Sequence, residues 1–85
     1  MLQQRIRLAI ADHNQSDRIG MKNYFEKVGD FEITGVLQDG ESLIEHLKKE
    51  KPDVLVMDVI LPRLDGIGVL QRFEELGDYR PKVIA

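Results

Sequence analysis

Short apolar runs alternate with amphipathic segments along this chain. Four runs have the length and the content of β-branched residues that are typical of strands. They cover residues 5–11, Phe31–Leu37, Val54–Met57 and a segment that begins near Lys82. The third run is apolar throughout, as expected of a strand that is covered on both faces.

Three segments between these runs repeat their apolar residues at helical spacing. The repeating positions are Ile19, Met21, Tyr24, Phe25 and Val28 in the first segment, Leu43, Ile44 and Leu47 in the second, and Ile67, Val69, Leu70, Phe73 and Leu76 in the third. Residues 14–17 carry a helix-start signal with Ser16 as a candidate N-cap. Gly29 and Gly77 are expected to end the first and third helices.

The resulting order is βαβαβαβ. Such an order predicts one α/β domain in which helices flank a parallel sheet, joined by right-handed crossovers. With 85 residues and no linker, the chain holds at most one domain.

Composition narrows the function classes. The chain is 42% hydrophobic and 32% charged, which is ordinary for a globular domain. It has no Cys, which excludes disulfides, thiolate-held zinc and thiol catalysis. A net charge of −3 argues against a nucleic-acid surface within these residues. No apolar run approaches a membrane span and residues 1–5 lack a signal-peptide core, so we expect a cytoplasmic protein.

Two acids stand where strands end. Asp12 follows the first strand and Asp58 follows the third. If these strands are neighbours, their carboxyl ends bring the two carboxylates together at the edge where such sheets bind ligands. Hard oxygen ligands suit Mg²⁺, and Asp58 could then act as a nucleophile towards a phosphoryl group. The alternative is that both acids are ordinary loop-entry residues.

The loop after Asp58 favours the chemical interpretation. Asp58, Pro62, Asp65 and Gly66 form the pattern D-x-x-x-P-x-x-D-G after an apolar strand. This pattern resembles the receiver domain of two-component response regulators, and the resemblance extends over the whole chain. Together with Ala11-Asp12-His13-Asn14, the sequence 58–70 is most similar to the receiver of the stage zero sporulation protein A family.

The resemblance implies both a fold and a role. The fold would be a flavodoxin-like, doubly wound parallel sheet, with residues 1–85 forming its N-terminal portion up to strand four. Asp58 would be the phosphoacceptor, supplied by a phosphohistidine on a histidine kinase or a relay phosphotransferase. Asp12 and the backbone carbonyl of Ile60 would help to hold Mg²⁺. The chain would not be a turnover enzyme, and transcription would be controlled through a DNA-binding domain outside it.

His13 departs from the family pattern. Receivers usually carry a second acid at this position, and neutral imidazole is a poor Mg²⁺ ligand. One interpretation is a weakened or altered metal dependence, or a pseudo-receiver that binds partners without phosphorylation. The other is that His13 turns outward while Asp12 and water hold the metal.

Other family features would fall outside the chain. The receiver Ser or Thr would lie just beyond Ala85 and the Lys further on, so we expect the chain to be a fragment. Strand four would then be an exposed edge beside an incompletely covered sheet face. Such surfaces favour a homodimer or a swapped dimer.

Four side chains near these elements have less specific interpretations. We expect Met57 to lie in the core and Asp65 to cap the third helix. His46 is expected on a solvated helix face, and Arg63 either contacts a phosphodonor or is a surface charge. A hydrolase of the haloacid-dehalogenase type would need an Asp at position 60, where this chain has Ile60.

Overall fold

The computed structural model describes residues 5–85, which form a parallel sheet with helices on both faces. The strands are β1 (Ile6–Ala11), β2 (Phe31–Leu37), β3 (Val54–Met57) and β4 (Lys82–Ile84). The helices are α1 (Gln15–Val28), α2 (Gly40–Glu50) and α3 (Gly66–Gln71), and a 3₁₀ helix covers Arg72–Leu76. These bounds confirm the predicted element order, with β1 starting one residue later than expected.

The four strands lie in the order β2-β1-β3-β4, and all neighbours are parallel. The direction of strand succession therefore reverses between β1 and β3. Ligands of open α/β sheets bind at this switch point, outside the carboxyl ends of the strands. Asp12 and Asp58 follow the two strands that flank it.

The better-packed face of the sheet lies against α2 and α3. Its buried residues are Ala9, Ala11, Leu43, Ile44, Leu47, Leu55, Met57, Leu61, Val69 and Leu76. This confirms that Met57 lies in the core. Leu55 and Met57 of β3 belong to this core, whereas Val54 and Val56 are partly buried.

The register of β2 contains an irregularity that the sequence pattern indicates only indirectly. Leu8 pairs with Ile33 but Ala9 pairs with Gly35, so Thr34 has no Cα partner in β1. The Thr34 hydroxyl donates a hydrogen bond to the Leu8 carbonyl at 3.3 Å, which satisfies an acceptor at the irregularity. The irregularity is therefore a β-bulge.

Helix α1 is less buried than its apolar spacing predicts. None of its residues is fully buried, and Ile19, Tyr24 and Val28 are 50%, 64% and 45% exposed. Only Met21 and Phe25 among the predicted inner positions are partly covered. Periodicity shows which residues share a helix face, but it does not show how much of that face a neighbouring element covers.

The N-cap of α1 is Asn14, so the assignment to Ser16 was wrong. The Asn14 side chain accepts a hydrogen bond from the Asp17 amide at 3.0 Å, and the Asn14 backbone is extended. Ser16 lies within the first turn, where its backbone is already helical.

We expect Asn14→Ala to lower the free energy of unfolding by about 1 kcal/mol, because the Asp17 amide loses its side-chain acceptor. Ser16→Ala should change it by less than about 0.5 kcal/mol, as at an ordinary exposed position. Urea unfolding followed by circular dichroism measures both. Equal losses for the two variants would contradict the Asn14 cap.

The third predicted helix is divided into α3 and the 3₁₀ helix. Arg72 pairs with Glu75, three residues later, at 2.7 Å, and this spacing places side chains on one side of a 3₁₀ helix. The same Arg72 donates to Glu41 of α2 at 2.8 Å. Gly77, at a positive φ of 68°, ends the segment as predicted. Ile67 and Leu70, two of the apolar residues at helical spacing, are exposed.

Strand β4 forms one edge of the described sheet, and its Ile84 is 48% exposed. The expected association through this edge stays a prediction. Among residues 5–85, no helix is both long and apolar enough to cross a membrane.

Candidate functional site

Asp12 is held at the carboxyl end of β1 by three hydrogen bonds. Its amide donates to the Leu37 carbonyl at 3.0 Å, and its carbonyl accepts from the Arg18 guanidinium at 2.9 Å. Its Oδ1 accepts from the Asn14 amide at 2.8 Å. These contacts fix both the backbone and the orientation of the carboxylate, whose side chain is only 13% exposed.

Asp58 occupies the matching position after β3. Its amide donates to the Ala11 carbonyl at 2.8 Å, which extends the β1–β3 pairing to the edge of the site. Its Oδ1 accepts from the Ile60 amide at 3.0 Å. The side chain is 24% exposed, so the carboxylate is oriented by the protein and still accessible.

His13 faces Asp58, so the interpretation that it turns outward was wrong. Its Nδ1 lies 2.7 Å from Asp58 Oδ2 and 3.7 Å from Asp12 Oδ1. One ligand atom from each of these three residues lies within 4.8 Å of the others. The geometric prediction that Asp12 and Asp58 converge is therefore confirmed, with His13 as a third member.

The pKa of Asp58 is lowered from its ordinary value. The main cause is the hydrogen bond from the Ile60 amide, which stabilises the ionised form, and the contact with His13 acts in the same direction. Partial burial opposes both effects. Asp58 is therefore a carboxylate at neutral pH, the form that acts as a nucleophile.

The loop between β3 and α3 is closed by hydrogen bonds of its own. The Gly66 amide donates to the Val59 carbonyl at 2.7 Å, and the Leu64 amide to the Pro62 carbonyl at 2.7 Å. Asp65 caps α3 by accepting from the Gly68 amide at 2.9 Å, as predicted.

The same loop is joined to the start of α2. The Gly40 amide donates to the Pro62 carbonyl at 3.3 Å. A Cβ atom at Gly40 would overlap the Leu64 carbonyl oxygen and lie 2.6 Å from Leu64 Cβ. Only glycine permits this close approach of two backbones. The loop that carries Asp58 is thereby positioned by a helix that is remote in sequence.

Arg63 lies on the outer side of this loop. It is 71% exposed, has a left-handed φ of 68°, and its guanidinium is 3.8 Å from the Asp39 carboxylate. Asp39 is buried and caps α2. Its pKa is lowered chiefly by the hydrogen bond from the Ser42 amide, with Arg63 adding to the effect. A contact between Arg63 and a phosphodonor stays a prediction.

His46 is not on a solvated face, contrary to the prediction. Its Nε2 lies 2.9 Å from the Thr34 hydroxyl, and its ring covers Gly35, where any Cβ would overlap it. Partial burial lowers the pKa of His46. The glycine in the middle of β2 was the available signal, because a strand glycine often marks close approach of another group.

An open cleft of about 400 Å³ adjoins the two acids. Its lining residues are Asp12, Asp17, Met21, Val56, Met57, Asp58 and Ala85. The cleft gives small ions and a phosphoryl group access to the carboxylates.

The donor set at this edge can be compared with the needs of a divalent metal. Asp12 and Asp58 supply the hard oxygen ligands that Mg²⁺ prefers. The third ligand atom is an imidazole nitrogen, which suits borderline transition metals better. The cluster therefore fits a divalent ion, and its histidine is the member that fits Mg²⁺ poorly.

The sequence also matches the profile of the response regulator receiver domain over residues 8–85. The chain belongs to this family. Receiver domains are phosphoacceptor signalling modules of two-component systems. The resemblance identified from the loop after Asp58 is confirmed at family level, and the closer kinship with the sporulation family stays a prediction.

Solved structures agree on the fold. The receiver domain of the response regulator NarL from Mycobacterium tuberculosis has a TM-score of 0.87 and 23% identity, covering 95% of this chain and 64% of its own. The response regulator domain of CheB from Thermotoga maritima has a TM-score of 0.83 and 28% identity, covering 94% and 60%. RcsB from Salmonella typhimurium, described in relation to DNA interaction, has a TM-score of 0.80 and 21% identity, covering 95% and 42%.

These likenesses confirm the predicted flavodoxin-like fold of the receiver. The chain spans less than two thirds of the NarL and CheB chains it resembles.

Proposed function

We propose that Asp58 is the phosphoacceptor of this receiver domain. The observation that carries the proposal is the Asp58 carboxylate at the switch point of the sheet, oriented by the Ile60 amide and adjacent to Asp12 and His13. An oriented, ionised and accessible carboxylate has the properties that a nucleophile needs.

The reaction transfers a phosphoryl group from a nitrogen atom of the donor to an oxygen atom of Asp58. A carboxylate oxygen of Asp58 attacks the phosphorus of a phosphohistidine on a histidine kinase or phosphotransferase. An O–P bond forms and the N–P bond breaks, and the departing imidazole of the donor takes up a proton. The product is an aspartyl phosphate.

Electrostatic repulsion is the main obstacle to this attack. Asp12 lies close to Asp58, and the incoming phosphoryl group is also negative. Asp12, Asp58 and the backbone carbonyl of Ile60 would hold a divalent cation, with Mg²⁺ as the ion expected for a receiver. When bound, the ion offsets the charge of the phosphoryl oxygens. His13 Nδ1 lies 2.7 Å from Asp58 Oδ2, on the side of the carboxylate opposite to the oxygen that the Ile60 amide contacts.

We also propose that the receiver regulates a part of the protein outside these residues. The sequence around Asp12 and Asp58 supports a cytoplasmic regulator of the sporulation type, which receives phosphate through a relay. Its effect on transcription would pass through a DNA-binding domain outside this chain. A homodimer or swapped dimer through the β4 edge is part of the same proposal.

A pseudo-receiver that binds partners without phosphorylation is the second candidate. The observation in its favour is the His13–Asp58 contact, which occupies one carboxylate oxygen of the acceptor. If that contact permanently takes the place of a metal ion, Asp58 would have a structural role and would not accept a phosphoryl group.

Beryllofluoride, which mimics an aspartyl phosphate, separates the two candidates. We expect its addition with Mg²⁺, or with Zn²⁺ in a parallel sample, to shift the amide resonances of Asn14 and Ile60, because these amides contact the two carboxylates. The Gly29 amide, bonded to Phe25 at the far end of α1, is the internal control. Unchanged Asn14 and Ile60 resonances with both metals would favour the pseudo-receiver.

A further inference from the structure

We propose that the Asp12–His13–Asp58 cluster selects a borderline transition-metal ion, with Zn²⁺ and Co²⁺ as representatives, over Mg²⁺. The inference rests on the proposed function for the location of the site. Its test measures metal binding and not phosphoryl transfer. The metal selectivity can therefore fail while the proposed function stands, and the reverse.

The separations of the His13 nitrogen from the two carboxylates suit one shared ion. Ligands about 2.1 Å from a metal lie roughly 3.0–3.4 Å apart at octahedral or tetrahedral angles. The His13 nitrogen is 2.7 Å from the Asp58 oxygen and 3.7 Å from the Asp12 oxygen. These two distances bracket the required spacing, and the Asp12 and Asp58 oxygens lie within 4.8 Å of each other. Small side-chain rotations would bring the three donors to a common ion.

The identity of the donors decides the preference. Two carboxylates alone would favour a hard ion such as Mg²⁺. An imidazole nitrogen adds a ligand that binds Zn²⁺, Co²⁺ and Ni²⁺ well and Mg²⁺ weakly. His13 is directed towards the carboxylates and not towards solvent, although half of its side chain is exposed. The exposed half leaves an approach for the ion from outside.

Backbone amides already orient the two carboxylates, as hydrogen-bond donors around metal ligands do. The Asn14 amide holds one oxygen of Asp12 at 2.8 Å, and the Ile60 amide holds one oxygen of Asp58 at 3.0 Å. Such outer contacts fix ligand direction and commonly change metal affinity by about 10- to 100-fold when removed. The adjoining cleft of about 400 Å³ gives room for water ligands and for a phosphoryl group.

Isothermal titration of the protein with Zn²⁺ alone and with Mg²⁺ alone tests the selection. We expect one Zn²⁺ per chain and a Zn²⁺-to-Mg²⁺ affinity ratio that falls at least about tenfold in His13→Asp, because that variant exchanges nitrogen for a hard oxygen donor. The chain has 2 histidines, so His46→Gln is the matched control and should keep the wild-type ratio.

A spectroscopic measurement identifies the nitrogen ligand directly. Zn²⁺ should move the ring ¹⁵N resonances of His13 and leave those of His46 in place. An affinity ratio that is the same in wild type and His13→Asp, or a shift at His46 in place of His13, would overturn the proposal. Phosphoryl uptake with Mg²⁺ alongside such a result would leave the proposed function intact. Histidine-dependent Zn²⁺ binding without phosphoryl uptake would support the metal selectivity and contradict the proposed function.

Discussion

An Asp58→Asn protein is expected to acquire no phosphoryl group from acetyl phosphate, whereas the wild type acquires one. The amide side chain keeps an oxygen to accept the Ile60 hydrogen bond, so the loop geometry should persist. What it loses is the anionic nucleophile. Intact-protein mass spectrometry after incubation with acetyl phosphate and a divalent metal measures the difference.

Asp65→Asn is the matched control in the same loop. Asp65 caps α3 through the Gly68 amide, and Asn is an equally good N-cap. This variant should take up phosphate as the wild type does. Equal uptake by the Asp58→Asn protein would contradict the assignment of the acceptor.

Gly40→Ala is expected to have the largest effect on stability. The added Cβ would overlap the Leu64 carbonyl oxygen, which belongs to backbone and cannot turn away as a side chain can. Overpacking of this kind costs about 1–3 kcal/mol and occasionally more. The overlap can be relieved only if the loop after Asp58 moves away from α2. We therefore expect the free energy of unfolding to fall by an amount at the upper end of that range. The Asn14 and Ile60 amide resonances should also change.

Gly20→Ala is the control for glycine replacement as such. A Cβ at Gly20, in the interior of α1, meets no atom within 4 Å. We expect this variant to gain about 0.5–1 kcal/mol, because alanine restricts the unfolded chain and favours the helix. Urea unfolding of both variants gives the comparison. A Gly40→Ala protein as stable as the wild type would show that the contact between α2 and the Asp58 loop is not close.

The convergence of Asp12 and Asp58 could be predicted because it depends only on topology. Alternating strands and helices predict a parallel sheet, and acids that follow neighbouring strands must meet at its carboxyl edge. The cap at Asp65 and the burial of Met57 were predictable for a similar reason. Each depends on local chemistry or on strand alternation, and both are visible in the sequence.

The features that could not be predicted depend on side-chain direction across the fold. Nothing in the sequence around His13 shows whether its ring turns to solvent or to Asp58, because Asp58 follows a different strand and is remote in sequence. His46 was placed on the wrong face because its partner Thr34 lies on a different element. Arg72, at which the third helix changes to a 3₁₀ helix, likewise contacts Glu41 on α2, which is remote in sequence.

In the phosphorylated protein, the phosphoryl group should reside on Asp58. Borohydride reduces an aspartyl phosphate to homoserine, which changes the mass of one residue and survives proteolysis. Peptide mapping of the reduced, phosphorylated protein should place homoserine at position 58. Homoserine at position 12, or a protein that takes up phosphate and yields no homoserine at position 58, would show that Asp58 is not the phosphoacceptor.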